Sequence, residues 1–122
     1  MSTTPIKVLV VDDNAALREN LAECLEVEGY AVSVASDGTT ALALLEQEPL
    51  PSVVLLDLMM PGMDGRALAA AIRGNPRLGG VRLVLTTGHP NAKARAGIAA
   101  DAVLAKPFGV KELLAAITQV VA

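Results

Sequence analysis

The sequence predicts an α/β domain in which five parallel β-strands alternate with five helices. Five short runs rich in Val, Leu, Ile and Ala are separated by segments whose apolar residues follow the helical period. Three of these runs lack the alternation of apolar and polar residues, which is typical of strands buried on both faces of a parallel sheet. A strand–helix order repeated five times indicates a doubly wound fold. With 122 residues, the chain is expected to form a single domain over residues 1–122.

The five predicted strands share a high content of β-branched and aliphatic residues. They are residues 7–11, 31–35, 53–56, 81–86 and 102–105. A loop rich in Gly, Asn and Pro, residues 74–80, precedes the fourth strand.

The predicted helices are recognised by apolar residues on one face. In the first helix these residues are Leu17, Leu21, Cys24 and Leu25. In the second they are Ala41, Leu42 and Leu45, and in the third Ala67, Leu68, Ala71 and Ile72. In the last they are Val110, Leu113, Leu114, Ile117, Val120 and Val121. A short fourth helix is expected around residues 92–98, where Gly97 weakens it.

Composition excludes several classes of protein. Hydrophobic residues make up 52% of the chain, which excludes an intrinsically disordered protein. The longest apolar runs are too short to span a membrane, so no membrane insertion is expected. The start, MSTTPIKVLVV, lacks the pattern of a signal peptide, and Cys24 is the only cysteine. A cytoplasmic location is therefore expected.

Charge is distributed unevenly along the chain. Residues 1–61 contain ten acidic and two basic residues, whereas residues 62–122 contain three acidic and eight basic residues. A basic half can indicate nucleic-acid binding, but these bases are spread over several predicted elements. No helix-turn-helix, zinc or RNA-binding motif organises them, so no direct nucleic-acid binding is expected.

Polar side chains follow four of the predicted strands at the point where each strand ends. Asp12 and Asp13 follow the first strand, Asp57 the third, Thr87 the fourth and Lys106 the fifth. Ligands of doubly wound sheets bind beyond the carboxyl ends of the strands. Clustered carboxylates repel one another without a cation, and hard oxygen ligands at an open site suit Mg²⁺. The sequence therefore predicts a magnesium site with Lys106 as a second positive charge.

The chain resembles the receiver domain of two-component response regulators over nearly its whole length. The matching motifs are VDD at 11–13, DLMMPGMDG at 57–65, TG at 87–88 and KPF at 106–108. The resemblance implies a flavodoxin-like sheet with strand order 2-1-3-4-5. It also implies that Asp57 is the phosphoacceptor and that Thr87 and Lys106 contact the phosphoryl oxygens. Asp12, Asp13, Asp57 and the backbone carbonyl of Met59 would hold the metal.

A phosphorelay function follows from this resemblance. A histidine kinase or a histidine phosphotransfer protein would donate the phosphoryl group, and the chain would catalyse only its own phosphorylation and dephosphorylation. Phosphorylation would switch the surface formed by the predicted fourth helix, the fifth strand and the last helix, toward an output partner that the sequence does not identify. Lys106–Pro107 is a candidate for a cis peptide bond, since only X-Pro bonds adopt cis at low cost.

Three other functions compete with the phosphorelay function. An aspartyl-phosphate hydrolase would have a second Asp two residues after Asp57, where this chain has Met59. A nucleotide-binding module would need a phosphate loop, and neither G-x-x-x-x-G-K nor G-x-G-x-x-G occurs. A degenerate receiver that binds partners without being phosphorylated remains the alternative.

Individual residues also have alternative roles or depart from the family. Asp13 or Asn14 could be a helix N-cap. His89 could influence a water near the phosphoryl group or simply be exposed in a loop. Val103 stands where many receivers have Tyr or Phe, and the segment from Thr87 to Lys106 is about one helical turn shorter than expected. Both departures fall in the region that reports phosphorylation in the family.

Overall fold

The computed structural model describes residues 5–58, 65–88 and 100–121. The strands are β1 (Lys7–Val11), β2 (Ala31–Ala35), β3 (Val53–Asp57), β4 (Arg82–Thr87) and β5 (Ala102–Ala105). The α-helices within the described ranges are α1 (Ala15–Val27), α2 (Gly38–Leu45), α3 (Gly65–Arg73) and α4 (Val110–Val121). Helix α4 corresponds to the last helix of the sequence prediction. The predicted fourth helix at 92–98 lies outside the described residues, as do Met59 and His89.

The five strands form one parallel sheet with the order β2-β1-β3-β4-β5, which confirms the predicted topology. Strands β1, β2 and β5 have the predicted bounds. Strand β3 is one residue longer than predicted, because Asp57 pairs with Thr86 in the ladder. Strand β4 begins and ends one residue later than predicted. The carboxyl ends of β1 and β3, which are neighbouring strands, therefore lie side by side at one edge of the sheet.

Helices pack on both faces of the sheet, and alternate residues of each central strand supply the two cores. On one face α2 and α3 cover buried residues that include Leu9, Leu56 and Leu85. On the other face α1 and α4 cover buried residues that include Val10, Leu55 and Val84. Both cores are almost entirely aliphatic, as the composition requires. No helix within the described ranges is long and apolar enough to cross a membrane.

The buried faces of two helices differ from the prediction. Helix α3 buries Gly65, Leu68, Ala69 and Ile72, whereas Ala67 and Ala71 are exposed. Helix α4 buries Leu113, Ala116, Ile117 and Val120, and Val110 is exposed. Alanine loses little by facing either core or water, so a segment rich in alanine leaves the facing side to be decided by packing.

Side chains cap several helix ends. Asn14 caps α1 by accepting a hydrogen bond from the Leu17 N–H at 3.0 Å, so the cap is Asn14 and not Asp13. Asp37 caps α2 in the same way at Thr40. Arg77 donates to the carbonyls of Leu45 and Glu46 at the other end of α2. Arg77 belongs to a 3₁₀ helix, Pro76–Leu78, within the segment predicted as a loop; Asn75 caps it and Pro76 fits its first turn.

Candidate functional site

Two of the predicted carboxylates are buried side by side at the carboxyl edge of the sheet. Asp12 follows β1 and Asp57 ends β3, and these strands are paired with Val11 opposite Leu56. Asp12 is 1% exposed and Asp57 is 3% exposed. Burial of an ionised carboxylate is costly unless hydrogen bonds or opposite charges compensate for it. The contacts of these two side chains therefore decide what the edge can bind.

Asp12 is held from three directions. Its Oδ1 accepts a hydrogen bond from the Asn14 N–H at 2.9 Å, and its own N–H donates to the Ala35 carbonyl at 3.2 Å. Its backbone carbonyl accepts a hydrogen bond from the Arg18 guanidinium at 2.8 Å. These contacts fix both the backbone and the side chain of Asp12 at the end of β1.

Lys106 joins the two buried carboxylates. Its Nζ lies 3.4 Å from Asp12 Oδ2 and 3.3 Å from Asp57 Oδ2. The backbone N–H of Lys106 donates a hydrogen bond to the Thr87 carbonyl at 2.8 Å, which attaches the end of β5 to the end of β4. The Lys106–Pro107 peptide bond is cis, as predicted. The ammonium thus arrives from the far side of β4 and reaches across to the ends of β1 and β3.

Asp13 completes an acidic pocket. One oxygen from each of Asp12, Asp13 and Asp57 lies within 4.8 Å of the others, with Asp13 exposed and the other two buried. Within the described ranges, the three carboxylates outnumber the Lys106 ammonium that pairs with Asp12 and Asp57. An all-oxygen, carboxylate-rich set of donors with one open side is the chemistry that Mg²⁺ prefers, and the residues fit such an ion.

Two threonines, not one, lie at the end of β4. Thr86 and Thr87 are both buried, and the ladder pairs Thr86 with Asp57. The sequence prediction names only Thr87 at this strand end. By strand alternation Thr86 follows Val84 on the α1/α4 face, as Asp57 follows Leu55, whereas Thr87 follows Leu85 on the α2/α3 face. The two hydroxyl groups therefore lie on opposite faces of the sheet at the end of β4.

The structure brings together Asp12, Asp13, Asp57 and Lys106, with Thr87 at the same edge of the sheet. Arg18 is a contributor that the sequence analysis missed. It is the only base in α1, one helical turn after the Asn14 cap, which places its side chain back toward the end of β1.

Comparison with known proteins gives a consistent result. The family model for the response regulator receiver domain matches residues 8–118. Response regulator MprA of Mycolicibacterium vanbaalenii is 41% identical over 113 residues, which are 91% of this chain and 48% of that protein. The probable transcriptional regulator ycf27 of Guillardia theta is 40% identical over 117 residues, which are 96% of this chain and 46% of that protein. The chain thus spans about half the length of the curated relatives it matches.

Solved structures agree in fold over nearly the whole of this chain. Chemotaxis protein CheY4 of Vibrio cholerae superposes with a TM-score of 0.89 at 28% identity, covering 96% of this chain and 99% of that one. A response regulator described as putative from Chloroflexus aurantiacus gives a TM-score of 0.88 at 29% identity, covering 96% and 98%. The fold of this chain is therefore shared with these two solved proteins.

Proposed function

The chain belongs to the response regulator receiver domain family, and from that premise we propose that Asp57 accepts a phosphoryl group in a two-component phosphorelay. The donor is a phosphohistidine on a histidine kinase or a histidine phosphotransfer protein. One observation carries the assignment of Asp57. Its carboxylate is buried at the strand end, and the Lys106 ammonium lies 3.3 Å away beside a second carboxylate.

The transfer is an in-line displacement at phosphorus. An Asp57 oxygen forms the new P–O bond while the P–N bond to the donor imidazole breaks, and the electron pair returns to the imidazole nitrogen. Lys106 already lies within ion-pair distance of the attacking carboxylate, so it stabilises the charge that develops on the phosphoryl oxygens. The Thr87 hydroxyl donates a hydrogen bond to one of these oxygens.

Asp12, Asp13 and Asp57 are the residues that would hold Mg²⁺, and their oxygens lie within 4.8 Å of one another. When bound, the ion supplies positive charge that offsets the negative charge of the phosphoryl group. The contribution of the Met59 carbonyl concerns a residue outside the described ranges and stays a prediction. Arg18 and Asn14 keep the Asp12 end of the pocket in place.

The output surface is proposed to include the predicted fourth helix, β5 and α4. Val103 lies in β5 opposite Leu85 and packs against the α2/α3 core. Valine is stiff at χ1 and has neither a ring to rotate nor a hydroxyl to donate. Val103 therefore keeps its packing in both states, and the segment after Thr87 carries the change.

Labelling with a small phosphodonor tests the phosphoacceptor assignment. Acetyl phosphate with Mg²⁺ is expected to add one phosphoryl group to the wild type, detected by intact mass, and none to Asp57→Asn. Asp37→Asn is the matched control, because asparagine preserves the helix cap and Asp37 does not belong to the acidic pocket of Asp12, Asp13 and Asp57, so it is expected to label fully. A folded wild type that stays unlabelled would support the degenerate receiver instead.

The same labelling assay distinguishes the roles of the Thr86 and Thr87 hydroxyl groups. Thr87→Val removes the hydroxyl with little change in volume, and slower labelling than for Thr86→Val is expected. Equal rates, or a larger loss in Thr86→Val, would move the hydroxyl role to Thr86.

Amide shifts on adding beryllofluoride, a phosphoryl mimic, test the output surface. The changes are expected to concentrate at residues 87–98 and to persist in Val103→Ala. Changes centred on residue 103 and its neighbours in β5, with residues 87–98 silent, would contradict this part of the proposal.

A further inference from the structure

Gly65 is the first residue of α3 and lies directly against the end of β3. A Cβ atom added to Gly65 would lie 2.6 Å from the Asp57 carbonyl oxygen, 2.6 Å from Leu58 Cα and 2.9 Å from the Leu58 carbonyl oxygen. All three atoms belong to the backbone of the residue that carries the carboxylate or of the residue after it.

This contact demands glycine for a steric reason. Gly65 has no positive φ, so its backbone conformation is open to any residue. Nonbonded carbon and oxygen atoms ordinarily stay about 3.4 Å apart, so a methyl group here would force a displacement of about 0.8 Å. Backbone atoms cannot rotate aside, in contrast to the Glu112 side chain that a Cβ at Gly109 would meet.

The displacement cannot be absorbed by α3 alone. The same helix is packed into the α2/α3 core through the buried residues Leu68, Ala69 and Ile72. This close packing resists movement of the first turn of α3 away from β3. On the strand side, the Leu58 N–H donates to the Thr86 carbonyl at 3.1 Å, and the Asp57 carboxylate lies 3.3 Å from Lys106. A shift of this backbone therefore changes the position of Asp57 relative to Lys106.

We propose that Gly65 is a positioning residue for the phosphoacceptor. Because Gly65 has no side chain, the first turn of α3 packs directly against the backbone of Asp57 and Leu58, and this contact fixes the position of the Asp57 carboxylate at the edge of the sheet. This inference rests on the proposed function of Asp57. Displacing a reacting group by about 1 Å can reduce a rate by about 10²-fold, because the attacking oxygen leaves the line of displacement.

Gly65→Ala tests the proposal, with Gly80→Ala as the matched control, since a Cβ at Gly80 meets nothing within 4 Å. Two quantities are measured: the amide shifts of Asp57, Leu58 and Thr86 without phosphodonor, and the rate of labelling by acetyl phosphate per folded molecule. In Gly65→Ala the three amide signals are expected to move and labelling to slow by about 10²-fold. Gly80→Ala is expected to match the wild type in both.

A purely structural role for Gly65 predicts a different result. The rate of labelling per folded molecule of Gly65→Ala would then equal that of Gly80→Ala, even if Gly65→Ala unfolds more easily. This outcome overturns the proposal. Unchanged amide signals at Asp57 and Leu58 in Gly65→Ala also overturn it. If Gly65→Ala is largely unfolded, trimethylamine N-oxide favours its folded state, and the rate is divided by the folded fraction from circular dichroism. Failure of the wild type and of Gly80→Ala to label would instead overturn the phosphoacceptor role itself, while the amide shifts still decide whether Gly65 sets the backbone of Asp57.

Discussion

At the scale of single residues, the site depends on one ammonium placed between two buried carboxylates. The side chains of Asp12 and Asp57 are nearly fully buried, whereas that of Lys106 is about a quarter exposed. Removing one partner from a buried charge cluster costs more than the attraction was worth, because the remaining charges stay desolvated. Lys106 therefore has a structural role in addition to the chemical role proposed for it.

Lys106→Met is expected to lower the free energy of unfolding of the metal-free protein by about 1–3 kcal/mol, measured by urea unfolding. Methionine keeps most of the aliphatic volume, so the loss reports the charge. Adding Asp57→Asn to Lys106→Met should restore part of the stability, since it removes one of the carboxylates that the ammonium compensates. Simple additivity of the two single changes would show that Lys106 and Asp57 are not coupled in the folded state.

Asn14 and Asp13 are adjacent but have separate roles. Asn14 caps α1, so Asn14→Ala is expected to lower stability by about 1 kcal/mol. Asp13 is exposed and adds negative charge to the pocket, so Asp13→Ala should leave the metal-free protein at least as stable as the wild type. Thermal melts without metal compare the two; a drop of several degrees for Asp13→Ala would identify a structural role for that carboxylate.

At the scale of elements, the start of α2 carries a titratable cap. The pKa of Asp37 is lowered from its ordinary value of 3.8, first because its carboxylate accepts a hydrogen bond from the Thr40 N–H, with smaller contributions from the Thr40 and Ser36 hydroxyls. A carboxyl group whose pKa is lower in the folded state stabilises the fold above its unfolded pKa. That stabilisation is lost as the pH falls through the lower, folded value.

Asp37→Ala is therefore expected to lower the melting temperature at pH 7. The difference from the wild type should begin to shrink as the pH falls to the ordinary value of 3.8, and should be lost as the pH falls through the lower pKa of the folded wild type. Melting temperatures of both proteins at several pH values between 7 and 3 provide the measurement. A difference that stays constant over this range would show that the cap does not depend on the charge of Asp37.

At the scale of the whole molecule, the acidic pocket couples three strands through one cluster of charges. Asp12 and Asp13 follow β1, Asp57 ends β3 and Lys106 follows β5. The carboxylates come together only when the sheet is folded, so an ion that needs all of them binds only the folded state. A ligand that binds only the folded state raises stability in proportion to the logarithm of its concentration.

Mg²⁺ at ten times its dissociation constant is expected to raise the free energy of unfolding of the wild type by about 1.4 kcal/mol. The increase should be much smaller in Asp13→Ala and in Asp12→Ala, which each lose one ligand. Thermal unfolding over a series of Mg²⁺ concentrations measures it, with Ca²⁺ as a comparison for ion size. Equal increases in all three proteins would place the ion elsewhere on the molecule.

Much of the architecture could be predicted because it depends on local patterns. The apolar runs within β1, β3 and β4 are typical of strands buried on both faces, and the structure buries these runs. The end of each strand follows from where its apolar run stops, so Asp12, Asp57 and Lys106 could be assigned to one edge. The predicted buried faces of α3 and α4 were partly wrong. Alanine carries too little hydrophobic preference to indicate a direction, so the prediction included Ala67 and Ala71 and missed Ala69 and Ala116.

The sequence by itself determined the alternation of elements, the strand ends and the chemical types collected there, because these depend on side-chain polarity along a regular backbone. Only the tertiary structure decided which atoms meet: Arg18 on the Asp12 carbonyl, Thr86 rather than Thr87 opposite Asp57, and Gly65 against the end of β3. These contacts join segments that are far apart in the chain or depend on a register of one residue. Their geometry is set by how the helices and strands pack, and no local pattern of residues records it.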